Sequence, residues 1–122
     1  MNVAITDATG LLGTSLCNFY SNLGHSVYAL IKDEHSSLSL NKNINKVYGN
    51  INSKTDVDYF IQKSIPDHFI HLAAQTQAYD SLKYPYNTFY TNVVGTLNVL
   101  DSLKEYSKCK SIIVASSDKA YG

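Results

Sequence analysis

The chain has no arginine: all ten of its basic side chains are lysines. This removes the planar bidentate forks that usually clamp phosphates and carboxylates. An excess of either charge is also missing, because ten acidic residues offset the ten lysines. Without a strong field of one sign, neither nucleic acid nor an anionic membrane is indicated as a partner. Cysteine is scarce. Cys17 and Cys109 stand far apart with no CxxC or metal-ligand spacing, which fits reduced, buried thiols in the cytosol. The histidines His25, His35, His68 and His71 lack HxxxH or HExxH spacing. His68 and His71 fall in a predicted strand, where an offset of three turns them to opposite faces and prevents joint chelation. No metal is expected. No stretch reaches 18 apolar residues, and the N-terminus lacks a basic region followed by a long apolar run. A soluble, cytoplasmic protein is expected, and 122 residues allow one domain at most.

Against these absences stands a regular alternation of short apolar runs and amphipathic segments. NVAIT leads into a glycine-containing turn, after which Leu12, Leu16, Phe19, Tyr20 and Leu23 fall on one helical face and Gly24 is the C-terminal cap. SVYALI (26–31) reads as a strand rich in β-branched and aromatic side chains. The polar stretch 33–45 holds at best a short helix, and KVYG (46–49) is a short third strand. Ser53 or Thr55 caps a second helix with Val57, Phe60 and Ile61 as its apolar stripe. HFIHLAA (68–74) is a buried strand. A long helix over about 86–106 carries Phe89, Val93, Leu97, Leu100 and Leu103 on one side, and SIIVAS (111–116) is a fifth strand. This pattern predicts an α/β, Rossmann-like open parallel sheet of five strands in the order 3-2-1-4-5, with the ligand crevice between strands one and four. No internal repeat or flexible linker interrupts it. A last strand without a crossover behind it leaves one face and one edge uncovered, so the chain reads as cut.

The turn TDATGLLG, Thr6 to Gly13, follows a strand and opens a helix, the context in which a glycine fingerprint has meaning. Gly10 lets a backbone approach a pyrophosphate at the helix N-terminus, and Gly13 lets helix pack closely on strand. Asp7 stands where the pattern TGxxGxxG has its first glycine. Two unit charges about 5 Å apart at an effective dielectric of ~20 repel by roughly 3 kcal/mol. That is on the order of a hundredfold in affinity. Asp tolerates unusual backbone angles better than most residues, but cofactor binding is expected to be weakened.

Three further stretches accompany that turn: HLAAQTQ (71–77), YPYNTFYTNVVGTLNVL (84–100) and IIVASSDKAYG (112–122). Together, in this order, they resemble the extended short-chain dehydrogenase/reductase family. Within it they resemble the NAD-dependent epimerases and dehydratases of nucleotide sugars. The resemblance implies an NAD(P)-binding Rossmann domain over 1–122, with Thr6, Gly10, Leu11, Leu12, Gly13, Asp33, Asn50, Ile51, Leu72, Ala73, Ala74 and Asn92 at the cofactor. Asp33 after the second strand favours NAD by accepting from the ribose hydroxyls, and Lys32 beside it keeps NADP as the alternative. Ser117 matches the residue that hydrogen-bonds the sugar O4. Asp118 and Lys119 match the pair that serves water loss in the dehydratases, so the resemblance leans toward the CDP-glucose 4,6-dehydratase type.

The resemblance also marks what is missing. The family's catalytic YxxxK lies beyond the Ser loop, whereas Tyr28/Lys32, Tyr59/Lys63, Tyr79/Lys83 and Tyr106/Lys110 all precede Ser117. The catalytic helix and the C-terminal substrate domain are absent from these residues. The expected function is the NAD(P)-binding portion of a nucleotide-sugar dehydratase or epimerase, inactive alone. The alternatives are a non-catalytic nucleotide-sensing or partner-binding module and a vestigial product. The expected partners are a nucleotide sugar for the whole enzyme and either a second copy or a complementing C-terminal fragment; the family's pairing through the long helix and the helix after strand five cannot form intact here, because the latter is missing.

Overall fold

A computed structural model of the chain describes residues 1–8, 10–32, 39–72, 85–106 and 108–115, with the side chains of the long helix described from residue 93 onward. Among the described residues there are five strands and three helices: β1 (Asn2–Ile5), α1 (Leu11–Asn22), β2 (Ser26–Ile31), β3 (Asn45–Tyr48), α2 (Lys54–Ser64), β4 (His68–Leu72), α3 (Pro85–Glu105) and β5 (Ser111–Ala115). The strands form one sheet in the order β3-β2-β1-β4-β5, as the alternation predicts. Every neighbouring pair is parallel, with Val3 opposite Val27 and His68, and Ile70 opposite Ile113.

Period-two alternation divides the core into two layers. Val3, Ile5, Val27, Ala29, Ile31, Ile70 and Leu72 join Cys17 of α1, with Leu40 and Ile44, on one face of the sheet. On the other face Ala4, Leu30, Val47 and Phe69 meet Val57, Phe60 and Ile61 of α2 and Val99 and Leu103 of α3. Phe60 and Phe69 stack edge to face with centroids 5.9 Å apart, an arrangement suited to the ring quadrupoles.

The helix ends follow their local chemistry. Ser53 caps α2 by accepting from the Asp56 N–H. Beyond α1, Gly24 takes φ 93, a left-handed turn that glycine enters without steric penalty.

Two apolar stripes land differently from the sequence expectation. On α1, Leu12, Phe19 and Leu23 are about half exposed, and only Leu16 and Tyr20 of the expected stripe reach the core. The buried face is Gly13, Cys17 and Ser21. A Cβ on Gly13 would sit 2.1 Å from the Asp7 carbonyl oxygen, so the helix docks through its glycine and turns the larger side chains outward. The long helix repeats this. Val93, Leu97 and Leu100 are exposed, while Gly95, Val99, Ser102 and Leu103 face inward. A Cβ on Gly95 would lie 3.0 Å from Ile51 Cγ1. Phe89 lies outside the described side chains.

Candidate functional site

The carboxyl ends of β1, β2, β3 and β4 converge on a pocket of ≈ 180 Å³. Thr6 and Asp7 come from the end of β1, Leu30 and Lys32 from β2, Gly49, Asn50, Ile51 and Asn52 from the turn after β3, and His71 and Leu72 from β4. The chain runs outward from β1 to β3 and then returns to place β4 on the other side of β1. The pocket therefore lies at the point where strand order reverses, the usual ligand crevice of an open parallel sheet.

Its floor is a hydrogen-bonded bridge across the sheet. Thr6 Oγ1 lies 2.7 Å from His71 Nδ1 and accepts from the Leu72 N–H at 3.1 Å. His71 Nε2 lies 3.0 Å from Thr96 Oγ1 on α3. A neutral ring satisfies all of this, with the Thr6 hydroxyl donating to Nδ1 and Nε2–H donating to Thr96. Burial lowers the His71 pKa to about 4, which keeps the ring neutral. The bridge fixes the ends of β1 and β4 against α3.

The turn after β3 forms the opposite wall. Asn50 N–H donates to Asp56 Oδ2, and Asn50 Oδ1 accepts from the Asn52 N–H, each at 2.9 Å. An acceptor expected to face a ligand is thus engaged in shaping its own turn. Asn98 of α3 donates to the Ile51 carbonyl at 2.9 Å and holds this wall in place.

The glycine turn adjoins the pocket. Asp7 sits at φ 51, in the left-handed region where a glycine would be at ease. Its carbonyl accepts from the Gly10 N–H at 3.2 Å, and Thr14 Oγ1 donates to the Ala8 carbonyl at 3.2 Å. Gly10, at the N-cap of α1, has ordinary extended angles, φ −67 and ψ 170. Its lack of a side chain therefore serves close approach and not backbone freedom.

Of the residues expected at a cofactor, the structure gathers Thr6, Asn50, Ile51 and Leu72 into the pocket. Gly10, Leu11, Leu12 and Gly13 form the adjoining first turn of α1, where Gly13 is buried and Leu11 is 92% exposed. Asn92 belongs to α3, with its side chain outside the described residues. Asp33, Ala73, Ala74, Ser117, Asp118 and Lys119 also lie outside the described residues. Leu30, Asn52 and His71 were not expected as lining. Their signal was positional, since each stands at or beyond the carboxyl end of a predicted strand.

The thiols take no part in the pocket. Cys17 and Cys109 are free, and burial pushes the Cys17 thiol up to about 12. Among the described residues no group of three His, Cys, Asp or Glu is placed to hold a metal ion, and no helix is long and apolar enough to cross a membrane.

The sequence pattern of the NAD dependent epimerase/dehydratase family matches residues 3–122. The chain is 34% identical to CDP-paratose 2-epimerase of Salmonella typhi, over all of this chain and 38% of that protein. It is 30% identical to CDP-glucose 4,6-dehydratase of Salmonella typhimurium, over 98% of this chain and 35% of that protein. The fold matches UDP-glucose 4-epimerase from Stenotrophomonas maltophila, solved with bound NAD, with a TM-score of 0.85 and 22% identity, covering 100% of this chain and 38% of that one. The chain thus spans under two fifths of the length of these relatives.

Proposed function

The chain belongs to the NAD-dependent epimerase/dehydratase family, and from that premise we propose that residues 1–122 are the NAD-binding portion of a nucleotide-sugar dehydratase or epimerase. The observation that carries this reading is the pocket at the β1/β4 reversal, flanked by a strand–turn–helix whose Gly13 leaves no room for a methyl group. The pocket is smaller than the roughly 300–1,000 Å³ of most small-molecule sites. It therefore suits the nucleoside end of the cofactor, with the rest running past the α1 turn.

In this reading Leu30 and Ile51 pack against the base, and Lys32 and Asn50 meet its polar edge. Asp33 takes the ribose hydroxyls and favours NAD, with NADP as the alternative. Leu72 borders the pocket, and the resemblance carries a cofactor-contacting role to Ala73, Ala74 and Asn92. Bound NAD supplies a hydride acceptor. Ser117 holds the sugar O4, and Asp118 and Lys119 serve the loss of water. Two relatives named for CDP-sugars support a CDP-linked hexose as substrate. The 2-epimerase shares the higher identity of the two, so the Asp118–Lys119 pair is the argument for dehydration.

Calorimetric titration of the 122-residue chain with NAD is expected to give saturable binding. Incubation with NAD and CDP-glucose is expected to give no 4-keto product, since no YxxxK follows Ser117 in these residues. Absence of binding by any adenine nucleotide would overturn the reading as a cofactor portion, and turnover would overturn the division of labour.

A second reading, a module that binds a partner polypeptide, is favoured by one observation. Ile112, Ile113 and Val114 on β5 are 43%, 52% and 44% exposed, although parallel strands are ordinarily covered on both faces. A polypeptide matching the remainder of the relatives would pack there, with a second copy of this chain as the competing occupant. Binding of such a polypeptide with no activity arising on mixing is the expected result of this second reading, whereas activity that arises only on mixing supports the first.

A further inference from the structure

The first helix turns an uncharged apolar stripe to solvent. Leu12, Phe19 and Leu23 are each at least half exposed, and Leu16 lies between them with one side against the core. At about 100° per residue these four fall within an arc of about 60°. Residues 8–31, which include all of α1, contain no Asp, Glu, Lys or Arg. A surface helix ordinarily carries charged side chains on its outer face. α2 has Lys54, Asp56, Asp58 and Lys63, and α3 ends among Asp101, Lys104 and Glu105.

The helix is anchored away from that stripe. Asn18 donates to the Ser39 carbonyl and accepts from the Asn41 N–H, Asn41 donates to Asn22 Oδ1, and Ser21 donates to Asn43 Oδ1. These bonds tie α1 to the segment before β3 and engage the polar side chains of the helix. Phe19, in the stripe, meets Tyr20 edge to face with centroids 5.4 Å apart, which restrains its ring. A fixed helix with a restrained aromatic side chain loses little freedom on binding.

The spacing of the stripe selects its occupant. Leu12, Leu16, Phe19 and Leu23 are separated by four, three and four residues, a series that reads the same in both directions. Laid antiparallel about a two-fold axis between Leu16 and Phe19, the stripe of one copy matches that of another. Leu12 then meets the partner's Leu23, and Leu16 meets the partner's Phe19. A two-fold contact requires such a self-complementary patch. The lack of charge leaves no like-charge repulsion between copies. Antiparallel helices also set the positive end of each macrodipole beside the negative end of the other. We propose that the chain forms a two-fold dimer through α1, with a second copy of this chain on the stripe. The pairing uses neither the pocket nor β5. One short helix from each copy makes a small interface, so a dissociation constant of about 10–100 µM is expected.

Sedimentation equilibrium of the 122-residue chain is expected to give a monomer–dimer equilibrium in that range. A chain that stays monomeric at about 500 µM overturns the proposal. In an NMR dilution series the shifts of Leu12, Leu16, Phe19 and Leu23 are expected to move together. Association that moves Ile112–Val114 instead, or Val93, Leu97 and Leu100, overturns it. So does a stripe that responds only to an added polypeptide matching the remainder of the relatives. These wild-type measurements stand even if a variant fails to fold. Leu12→Glu and Leu23→Lys, both at exposed positions and checked by circular dichroism, are each expected to weaken the dimer at least about tenfold, since a charge then faces a leucine. Mixed in equal amounts, the two variants are expected to associate at least about threefold more tightly than either alone, because the introduced glutamate of one copy meets the introduced lysine of the other. Folded variants that dimerise like the wild type, or a mixture no tighter than its components, overturn the antiparallel pairing and the proposal with it.

Discussion

A single methyl group tests how α1 is seated. At Gly13 it would meet the Asp7 carbonyl oxygen at 2.1 Å and the Ala8 Cα at 2.8 Å, both backbone atoms that cannot swing aside. Gly13→Ala is therefore expected to cost about 3 kcal/mol, the upper end of the overpacking range, read from the urea midpoint. His71 makes a different residue-scale demand. Its folded pKa, about 4, lies below the ordinary value of 6.5, so between these values the unfolded chain binds more protons than the folded one. Stability from the neutral ring is complete above about pH 6.5 and is lost as pH falls toward 4. Between pH 6.5 and 5 the loss is expected to be about 1.5 kcal/mol, measured by urea unfolding. Replacing the ring in His71→Gln should flatten that slope. Asp58 and Asp67 have carboxyls held below their ordinary value, the first mainly by its hydrogen bond with Lys54 and the second by the Asn2 N–H. Their contributions are lost only at lower pH, as each falls through its folded pKa, so they do not mimic the histidine.

At the scale of elements, Val99 and Leu97 separate the face that packs from the face that the sequence singles out. Val99 is fully buried among Phe60, Phe69 and Leu103, whereas Leu97 is 59% exposed. Val99→Ala is expected to cost about 2 kcal/mol, and Leu97→Ala less than about 0.5 kcal/mol. Equal costs, measured by thermal or urea unfolding, would contradict the observed rotation of α3. The rotation also marks the limit of what periodicity reveals. Strand order, the Ser53 cap and the Val57–Phe60–Ile61 stripe were legible, because alternation and capping are local. The inward faces of α1 and α3 were not. Each helix docks through a glycine, at Gly13 and Gly95, and a residue with no side chain carries no weight in a search for apolar stripes. The candidate site shows the same division. Thr6, Asn50, Ile51 and Leu72 follow from a motif and the strand it ends, but the His71 bridge joins residues 65 and 25 positions apart and is written in no local pattern.

For the whole molecule, the two ends of the sheet are unequal in cover. β1 is central, paired with β2 and β4, and its Ala4 and Ile5 are fully buried. β5 pairs only with β4 among the described strands, and its three middle residues are exposed on alternating faces. The apolar burial that resists opening is therefore concentrated at β1, β2 and β4 and thins toward β5. Native-state hydrogen exchange should record this gradient. The amides of Ile112–Val114 that bond to β4 are expected to be protected at least about tenfold less than those of Ala4 and Ile5. Uniform protection would mean that the sheet opens only as a unit, and that the exposed face of β5 costs the fold nothing. The same measurement bears on the partner reading. A polypeptide that covers Ile113 and its neighbours should raise β5 protection most, because it closes the local opening of that strand, while β1, limited by global unfolding, gains only the increase in global stability. A ligand in the pocket acts at the ends of β1 and β4 instead, and stabilises the folded chain by mass action. Which strands slow on addition of adenosine, and which slow on addition of the polypeptide, therefore distinguishes the pocket from the open face.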